Sequence, residues 1–327
     1  RSNMDYILVS HLAAEDSAIS YAVGEWARIW PLEQLVRAMG AYFVRRRSRN
    51  DLYRRVLERY VQMATAQGVT QAVFPEGGLS RDGRLRDPKL GLLDYMMRAF
   101  DPQNDRDIVF LPVAINYDRV LEDRTLLADM DPDVEAKQGL GAVGTAGSFL
   151  ARQVSLMARQ KWHRFGYACV SFGTPISSRQ YLQERGLDLR TLGKEDRFEQ
   201  VGKLAGYLME AIGNQVPVLP VSLVSTVLLQ RAGEGISDLE LKAAVQGLAD
   251  ELEESGALVY VPRQDREYAI EVGLRMLTLR RVVVRDEDGL LRVQPEESRL
   301  LEYYANSISH LVSALNSADS ISEGDAQ

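Results

Sequence analysis

The stretch from Val69 to Lys89 limits most strongly what this chain of 327 residues can fold into. An apolar run that ends at Phe74 is typical of a short buried strand. Pro75 stops the run, and a Gly-rich turn follows, in which backbone N–H groups can approach a ligand closely. Open α/β sheets bind anionic ligands where a strand ends in such a turn. The pattern favours a phosphate site over the alternative, a solvated surface loop.

The loop after this strand is rich in cations and hydrogen-bond donors, which are the groups that bind phosphate. These are Ser80, Arg81, Arg84, Arg86 and Lys89. Glu76, Gly77 and Gly78 form the turn itself, where backbone N–H groups can stabilise an oxyanion.

Strand-like and helix-like segments alternate between residues 40 and 175, which predicts an α/β fold with a mostly parallel central sheet and flanking helices. The predicted strands are residues 40–44, 69–74, 108–115 and 167–172. A helix capped by Gly68 follows the arginines at residues 45–47. Arg54, Arg55 and Arg59 favour a solvated helix face over the alternative, binding of phosphate or an anionic headgroup. The predicted buried face of this helix consists of Leu52, Val56, Tyr60 and Met63.

The pattern changes after residue 215. A capping box at residues 237–240 predicts a helix to about residue 254, and a second helix spans 265–280. A hairpin over 281–293 and a last helix over 295–315 complete a mainly helical C-terminal region. A winged-helix unit is the alternative. The predicted division is a catalytic domain at 1–215, a helical domain at 216–315 and a disordered polar tail at 316–327.

Composition excludes several classes of protein. A net charge of −7 argues against nucleic-acid binding. The single cysteine excludes an intrachain disulfide framework, and no metal site is predicted. The Gly-x-Gly-x-x-Gly run at residues 139–144 follows polar residues rather than a strand, so it does not predict a dinucleotide site. The longest apolar segment, residues 216–229, contains two prolines and is interpreted as buried core first and as a membrane-facing surface second.

Several ordered segments resemble the signature blocks of the glycerolipid acyltransferases, most closely the bacterial membrane-associated glycerol-3-phosphate acyltransferases. Residues 74–84 read Phe-Pro-Glu-Gly-Gly-x-Ser-Arg-x-Gly-Arg and resemble the third block. Residues 1–6 resemble the end of the first block, His-Arg-Ser-x-Met-Asp-Tyr. The second and fourth blocks resemble residues 40–46 and 111–118, and segments 170–176 and 303–308 also look like family segments. The resemblance spans nearly the whole chain.

The resemblance implies acyl transfer from acyl-CoA or acyl carrier protein to the sn-1 hydroxyl of glycerol 3-phosphate, in phospholipid synthesis. The family's first block is His-x4-Asp, in which the histidine is the general base. Asp5 matches the aspartate, and the histidine would immediately precede Arg1, so the chain as given is expected to be an inactive fragment. His11 and Asp16 repeat the spacing without the flanking residues and are interpreted as ordinary helix residues.

The resemblance also assigns roles to the remaining blocks. Arg45, Arg46, Ser80, Arg81 and Lys89 are expected to bind the glycerol phosphate, and Glu76 with Gly77 and Gly78 to shape the loop. Pro112 and Tyr117 would line the acyl side. Leu79 stands where many members carry arginine, which removes one phosphate ligand.

No cofactor or metal is implied, and the partners would be the two substrates and a membrane lipid surface at the cytoplasmic face of the bacterial inner membrane. Three rival functions remain open. One is a sister acyltransferase that uses dihydroxyacetone phosphate or 1-acyl-glycerol 3-phosphate. The others are a non-catalytic membrane- or phosphate-binding relative and a nucleotide-dependent α/β enzyme, which the missing motifs disfavour.

Overall fold

The structure is a computed structural model that describes residues 2–14, 19–24, 40–44, 50–128, 166–231 and 233–324, with the single residues 34 and 130. Predictions for Arg45, Arg46 and the glycine run at 139–144 therefore lie outside the described residues.

The amino-terminal part builds a small parallel sheet between helices. Its elements are α1 (Met4–Ala13), β1 (Ser20–Gly24), β2 (Ala41–Val44), α2 (Asp51–Ala66), β3 (Gln71–Ala72) and α3 (Gly91–Met97). The strand order is β2-β1-β3, and both pairs run parallel. The predicted strand at 69–74 is thus confirmed as β3, although only Gln71 and Ala72 are paired. The prediction that it is buried is wrong, because Val69 is exposed and residues 71–74 are only half-buried. The strand leads directly into the Gly-rich turn, as the sequence predicts.

The next strands pair differently from the prediction. They are β4 (Val109–Phe110), β5 (Val113–Tyr117), β6 (Ala168–Phe172) and β7 (Ile176–Ser177), with α4 (Asp123–Ala128) after β5. β5 pairs with β6 and β4 with β7, and both pairs are antiparallel. The mixed α/β class is confirmed, but the prediction of parallel pairing is wrong for these strands. Alternation along the chain identifies strands and helices, whereas strand direction depends on the path of the connections.

The C-terminal part is mainly helical and contains the predicted hairpin. Its helices are α5 (Ser178–Glu184), α6 (Lys194–Asn214), α7 (Pro220–Gln230), α8 (Asp238–Glu254), α9 (Arg266–Leu279), α10 (Ser298–Ala305) and α11 (Ser309–Gly324). Ser237 and Glu240 form the predicted capping box. The strands β8 (Val283–Arg285) and β9 (Leu291–Val293) form the hairpin. The predicted last helix is interrupted after Ala305, and α11 continues to Gly324, across residues whose composition predicts disorder.

The main core surrounds α7, whose residues 220–228 are all buried, so the interpretation of this apolar segment as core is confirmed. α8, α9 and α10 pack against it. The same cluster contains Tyr117, Val120 and Leu126 from β5 and the residues after it. The C-terminal region therefore packs directly on the chain that follows β5. Whether residues 215 and 216 separate two domains stays a prediction.

The predicted burial of α2 is wrong. Leu52, Val56, Tyr60 and Met63 are exposed, and the helix instead buries Val61. This opposite face packs against α3, where Arg98 forms a 2.7 Å ion pair with Glu58. An apolar stripe predicts that one face of a helix avoids water, but it does not identify what covers that face.

Candidate active site

Asp5 lies in the first turn of α1 and is almost completely buried. Its Oδ1 accepts a 2.5 Å hydrogen bond from the hydroxyl of Tyr117, and its Oδ2 accepts one of 3.2 Å from the backbone N–H of Ser2. A carboxylate at a helix N-terminus is also favoured by the helix dipole. Asp5 is thus held in one orientation by a backbone group just before α1 and by a side chain of β5.

Tyr117 keeps its proton in this environment. Burial and the neighbouring carboxylates of Asp5 and Glu122 raise the pKa of the phenol well above its ordinary value. The hydroxyl is therefore a permanent donor to Asp5. The predicted acyl-side role of Tyr117 stays a prediction, and the contact with Asp5 is one that the motif spacing did not reveal.

Glu122 fastens the same end of α1. The hydroxyl of Ser2 donates to its Oε2 at 2.8 Å, and the backbone N–H of Asn3 donates to its Oε1 at 3.1 Å. Tyr117 of the fourth block and Glu122, four residues after that block, therefore position the first block together. Glu122 was not predicted, since a charged residue in a loop carries no signal of such a partner.

Aromatic contacts bring the first and third blocks together. The ring of Tyr6 stacks on Tyr21 of β1 with centroids 5.5 Å apart, and it meets Phe74 edge-on at 4.7 Å. Phe74 immediately precedes the Gly-rich turn. The first block and the loop are therefore neighbours in the fold, and their membership of one active site stays a prediction.

The turn of the loop requires glycine and a closing carboxylate. Gly77 adopts a φ of 65°, in the left-handed region, and its N–H donates to the carbonyl of Phe74. A Cβ on Gly77 would lie 2.8 Å from Cγ of Lys89. The side chain of Glu76 accepts a hydrogen bond from the backbone N–H of Arg86 at 3.1 Å. Glu76 and Gly77 thus contribute to the conformation of the loop, and their place in a substrate site stays a prediction.

Ser80 is buried, and its hydroxyl lies 2.7 Å from the carbonyl oxygen of Arg84 and 3.1 Å from Oδ1 of Asp82. The guanidinium of Arg86 donates to the carbonyl of Leu79. These two side chains stabilise the loop itself. Arg81, Arg84 and Lys89 are exposed.

The C-terminal region holds the far side of the loop. Asn306 donates from Nδ2 to the carbonyl of Asp82 at 2.9 Å. Gly83 has a φ of 85°, and a Cβ there would lie 1.9 Å from the carbonyl oxygen of Tyr303. The family-like segment at residues 303–308 therefore fixes the third block by backbone contact, and only glycine fits beneath it.

A buried ionic cluster connects the segment after β5 to the C-terminal helices. The hydroxyl of Tyr304 donates to Asp123, whose carboxylate forms a 2.7 Å ion pair with Arg280. Arg280 also donates to the Tyr304 oxygen, as does the backbone N–H of Val120. Burial and the Asp123 carboxylate raise the pKa of Tyr304. The segment after β5 is thus tied to α9 and α10.

Pro112 lines a cleft of about 400 Å³ between the start of β5, α5 and α6. Tyr181, Arg185 and Tyr207 also line it, and the Arg185 guanidinium lies 3.9 Å from the centroid of the Tyr181 ring. The position suits a residue that borders a substrate. The assignment of Pro112 to the acyl side stays a prediction.

Within the described residues, no group of three histidine, cysteine, aspartate or glutamate side chains lies close enough to hold a metal ion. His11 is exposed on α1, and Asp16, its predicted partner in the repeated spacing, lies outside the described residues. Burial, followed by the nearby Asp118, raises the pKa of Cys169 to about 11, so the thiolate is disfavoured at neutral pH.

Removing the Tyr117 hydroxyl should weaken the hold on Asp5. We expect Tyr117→Phe to lower the free energy of unfolding by about 1–3 kcal/mol, because a buried carboxylate loses a donor. Urea unfolding measures this change. Tyr207→Phe, which removes a hydroxyl from an exposed ring, is the control and should change stability by less than about 0.5 kcal/mol. Equal effects of the two variants would contradict the Tyr117–Asp5 contact.

Asp118 gives the fold a predicted pH dependence. Its carboxylate accepts hydrogen bonds from the N–H groups of Val221, in the first turn of α7, and Tyr167. Burial outweighs these bonds and raises its pKa from 3.8 to about 6. A carboxyl with a raised pKa binds its proton more tightly when folded. Its stabilising contribution is therefore complete below about pH 4 and is lost as the pH rises through about 6.

Asp118→Asn removes this titration. We expect the unfolding free energy of the parent protein, minus that of the variant, to fall between about pH 4 and pH 7, as denaturant titrations at several pH values would show. Asp286→Asn is the control, because the hydrogen bond from Arg292 lowers the pKa of Asp286. Its difference should rise with pH below about pH 4 and stay flat from about pH 4 to pH 7. A difference for Asp118 that grows with pH would contradict the assignment.

Comparison with known proteins first defines the class. Residues 1–116 match the family described as Acyltransferase, which covers Asp5, the Gly-rich loop and most of β5. Residues 152–315 match the family described as Glycerol-3-phosphate acyltransferase C-terminal region. Since this second match covers half of the chain, the chain belongs to the glycerol-3-phosphate acyltransferase family, and the resemblance in the signature blocks is confirmed.

Curated relatives agree with this assignment. The chain is 28% identical to a glycerol-3-phosphate acyltransferase of Haemophilus influenzae over 322 residues. It is 28% identical to that of Alteromonas mediterranea over 328 residues and 29% identical to that of Aeromonas hydrophila over 322 residues. Each match covers 95% of this chain and 38% of the relative. The chain thus spans well under half the length of the curated relatives it matches.

Proposed function

We propose that this chain carries the site that transfers an acyl group to the sn-1 hydroxyl of glycerol 3-phosphate. The donor is acyl-CoA or acyl carrier protein, and the product is 1-acyl-glycerol 3-phosphate. The observation that carries the proposal is the buried Asp5, oriented by Tyr117 and joined through Tyr6 and Phe74 to a loop with exposed cations. No bound cofactor or metal is needed, because a thioester already supplies an activated acyl group.

In this proposal Asp5 orients the imidazole of the general base, the histidine that the family resemblance places directly before Arg1. The base removes the proton from the sn-1 hydroxyl. The oxygen then attacks the thioester carbonyl, forming the ester C–O bond. In the turn, the N–H of Gly77 donates to Phe74, and the N–H of Gly78 stabilises the oxyanion. The C–S bond breaks, and the leaving thiolate takes the proton from the imidazolium.

The phosphate of the acceptor is bound by the exposed cations of the loop. Arg81, Arg84 and Lys89 are available for this role by their exposure, whereas the hydroxyl of Ser80 contacts the loop backbone. Arg84 lies in the same loop as Leu79 and compensates for the arginine that many family members carry there. Arg45 and Arg46 complete the clamp.

The proposed location is the cytoplasmic face of the bacterial inner membrane, where the protein associates peripherally. The product is amphiphilic, and a site at the lipid surface releases it into the bilayer directly. Among the described residues, no helix is both long and apolar enough to cross a membrane.

The phosphate clamp predicts a specific kinetic defect. With the native upstream sequence present, Arg81→Gln is expected to raise the KM for glycerol 3-phosphate by about tenfold or more, since a charge-assisted hydrogen bond contributes about 1.5–3 kcal/mol. Initial rates with palmitoyl-CoA measure the change. Arg275→Gln, on an exposed position of α9, should leave KM unaltered. An unchanged KM in Arg81→Gln would remove this residue from the clamp.

A further inference from the structure

The exposed face of α2 is the largest departure of the structure from the sequence pattern. Four apolar side chains follow one another along this helix at spacings of four, four and three residues. Their exposed fractions are 71% for Leu52, 59% for Val56, 47% for Tyr60 and 48% for Met63. At about 100° per residue, these positions fall within roughly 80° of arc and extend for about 16 Å. We call this surface the α2 stripe.

The stripe is continuous rather than a scatter of single exposed residues. Single exposed apolar side chains are ordinary, whereas a contiguous apolar surface marks an interaction site. Tyr60 is kept in place by an edge-on contact with Tyr42 of β2, with ring centroids 5.1 Å apart. The opposite face of the helix is fixed by the buried Val61 and by the ion pair between Glu58 and Arg98. The protein therefore presents the stripe on a firmly packed helix.

Two arginines border the stripe on one side. Helical geometry places Arg59 about 20° and Arg55 about 60° from Leu52, on the side away from Tyr60. Both side chains are exposed. Neither guanidinium forms an ion pair or a hydrogen bond with any residue in the described part of the chain. Two acidic residues of the helix lie beside this border. Glu58 is already paired with Arg98, and Asp51 is exposed in the first turn.

We propose that the α2 stripe is the surface that lies on an anionic lipid membrane. Leu52, Val56 and Met63 enter the boundary between headgroups and acyl chains, the ring of Tyr60 sits at headgroup level, and Arg55 and Arg59 contact lipid phosphates. An apolar face with a basic border is the pattern of helices that lie in a membrane surface. The inference rests on the proposed peripheral location and assigns it to one helix.

Charge favours lipid over a second copy of the chain as the occupant. Pairing of two stripes would bring four arginines into one interface, and the two Asp51 carboxylates would compensate at most two of them. An anionic bilayer supplies phosphates along the whole border. The 327-residue chain carries a net charge of −7, so its net charge opposes binding to an acidic membrane. The local basic border therefore favours one orientation of the protein on the membrane.

Vesicle sedimentation of the 327-residue chain tests the proposal. Phosphatidylcholine vesicles with and without phosphatidylglycerol separate the apolar from the ionic contribution. The double variant Arg55→Gln/Arg59→Gln should lower the partition coefficient on anionic vesicles by about tenfold or more, at about 1 kcal/mol per cation. It should change binding to neutral vesicles little. The double variant Leu52→Gln/Met63→Gln should reduce binding to both kinds of vesicle.

Matched controls lie on other helices. Leu239 is a leucine on α8 with 79% exposure, and Arg275 is an exposed arginine on α9. Leu239→Gln and Arg275→Gln should leave vesicle binding unaltered. Circular dichroism and thermal unfolding confirm that each variant folds.

The outcomes separate the possible errors. If the parent chain binds vesicles and the α2 variants bind equally well, the stripe is not the lipid surface, although the peripheral location stands. If the parent chain binds neither kind of vesicle, the α2 stripe proposal and the proposed peripheral location both fail. The acylation assay in detergent still tests the proposed chemistry. If the apolar double variant instead converts a dimer to a monomer in sedimentation velocity without loss of lipid binding, a second copy occupies the stripe and the proposal is overturned.

Discussion

Asp5→Asn is expected to lower the kcat of glycerol 3-phosphate acylation by about 10²–10⁴-fold when the native upstream sequence is present. The proposed role of Asp5 is to hold the general base in its productive orientation and to stabilise the imidazolium that forms. Asparagine keeps the shape of the side chain and can still accept from Tyr117. It has no negative charge, and its amide can present a donor to the base. The KM for glycerol 3-phosphate should change by less than about threefold, because Asp5 does not contact the phosphate.

Steady-state rates with labelled glycerol 3-phosphate measure the loss, and thermal unfolding shows whether the variant is folded. Asp265→Asn is a matched control: Asp265 also lies at the N-terminus of a helix, α9, and accepts from the N–H of Tyr268. It should retain full activity. A kcat reduction of less than about tenfold in folded Asp5→Asn would show that the carboxylate does not orient the base.

Arg280→Met is expected to lower the free energy of unfolding by about 3–5 kcal/mol. The guanidinium pairs with Asp123 at 2.7 Å, and both side chains are nearly buried, with exposures of 11% and 5%. Removing the cation leaves the Asp123 carboxylate in the core with the hydroxyl of Tyr304 and the backbone N–H of Arg124 as donors. Methionine preserves much of the aliphatic volume of arginine. The loss in free energy of unfolding is therefore due to the removed charge rather than to a cavity.

The control is the ion pair between Arg124 and Glu297, which has a similar length of 2.8 Å but a 58% exposed arginine. Arg124→Met should cost less than about 1 kcal/mol, because an exposed pair gains little over its interactions with water. Urea unfolding of both variants provides the comparison. Similar losses in the two would contradict the burial of the Arg280–Asp123 pair.

Local sequence determines some features of this fold and leaves others open. The Gly-rich turn, the capping box at residues 237–240 and the hairpin near Gly289 were predictable because each depends on a backbone conformation or a cap that only a few residue types supply. Asp5 and the third-block loop were located by family resemblance, and the structure brings them together through Tyr6 and Phe74.

The long-range partners could not be predicted. Tyr117 and Asp5 are separated by 112 residues, and Tyr304 and Asp123 by 181. No local spacing encodes such pairs, since they exist only after β5 and α10 have packed. The strand direction of β5 and the exposure of the α2 stripe were missed for a related reason. Amphipathic patterning shows that an element has an apolar face, and tertiary packing decides what meets it.

Product analysis of the acylation reaction tests the central proposal most directly. The chain with its native upstream sequence restored would be incubated in detergent with labelled glycerol 3-phosphate and either palmitoyl-CoA or palmitoyl-acyl carrier protein. Dihydroxyacetone phosphate and 1-acyl-glycerol 3-phosphate would be offered in parallel. We expect 1-acyl-glycerol 3-phosphate as the labelled product, with little transfer to the other two acceptors. Preferential acylation of either of those acceptors, or no transfer from any donor by a folded protein, would contradict it.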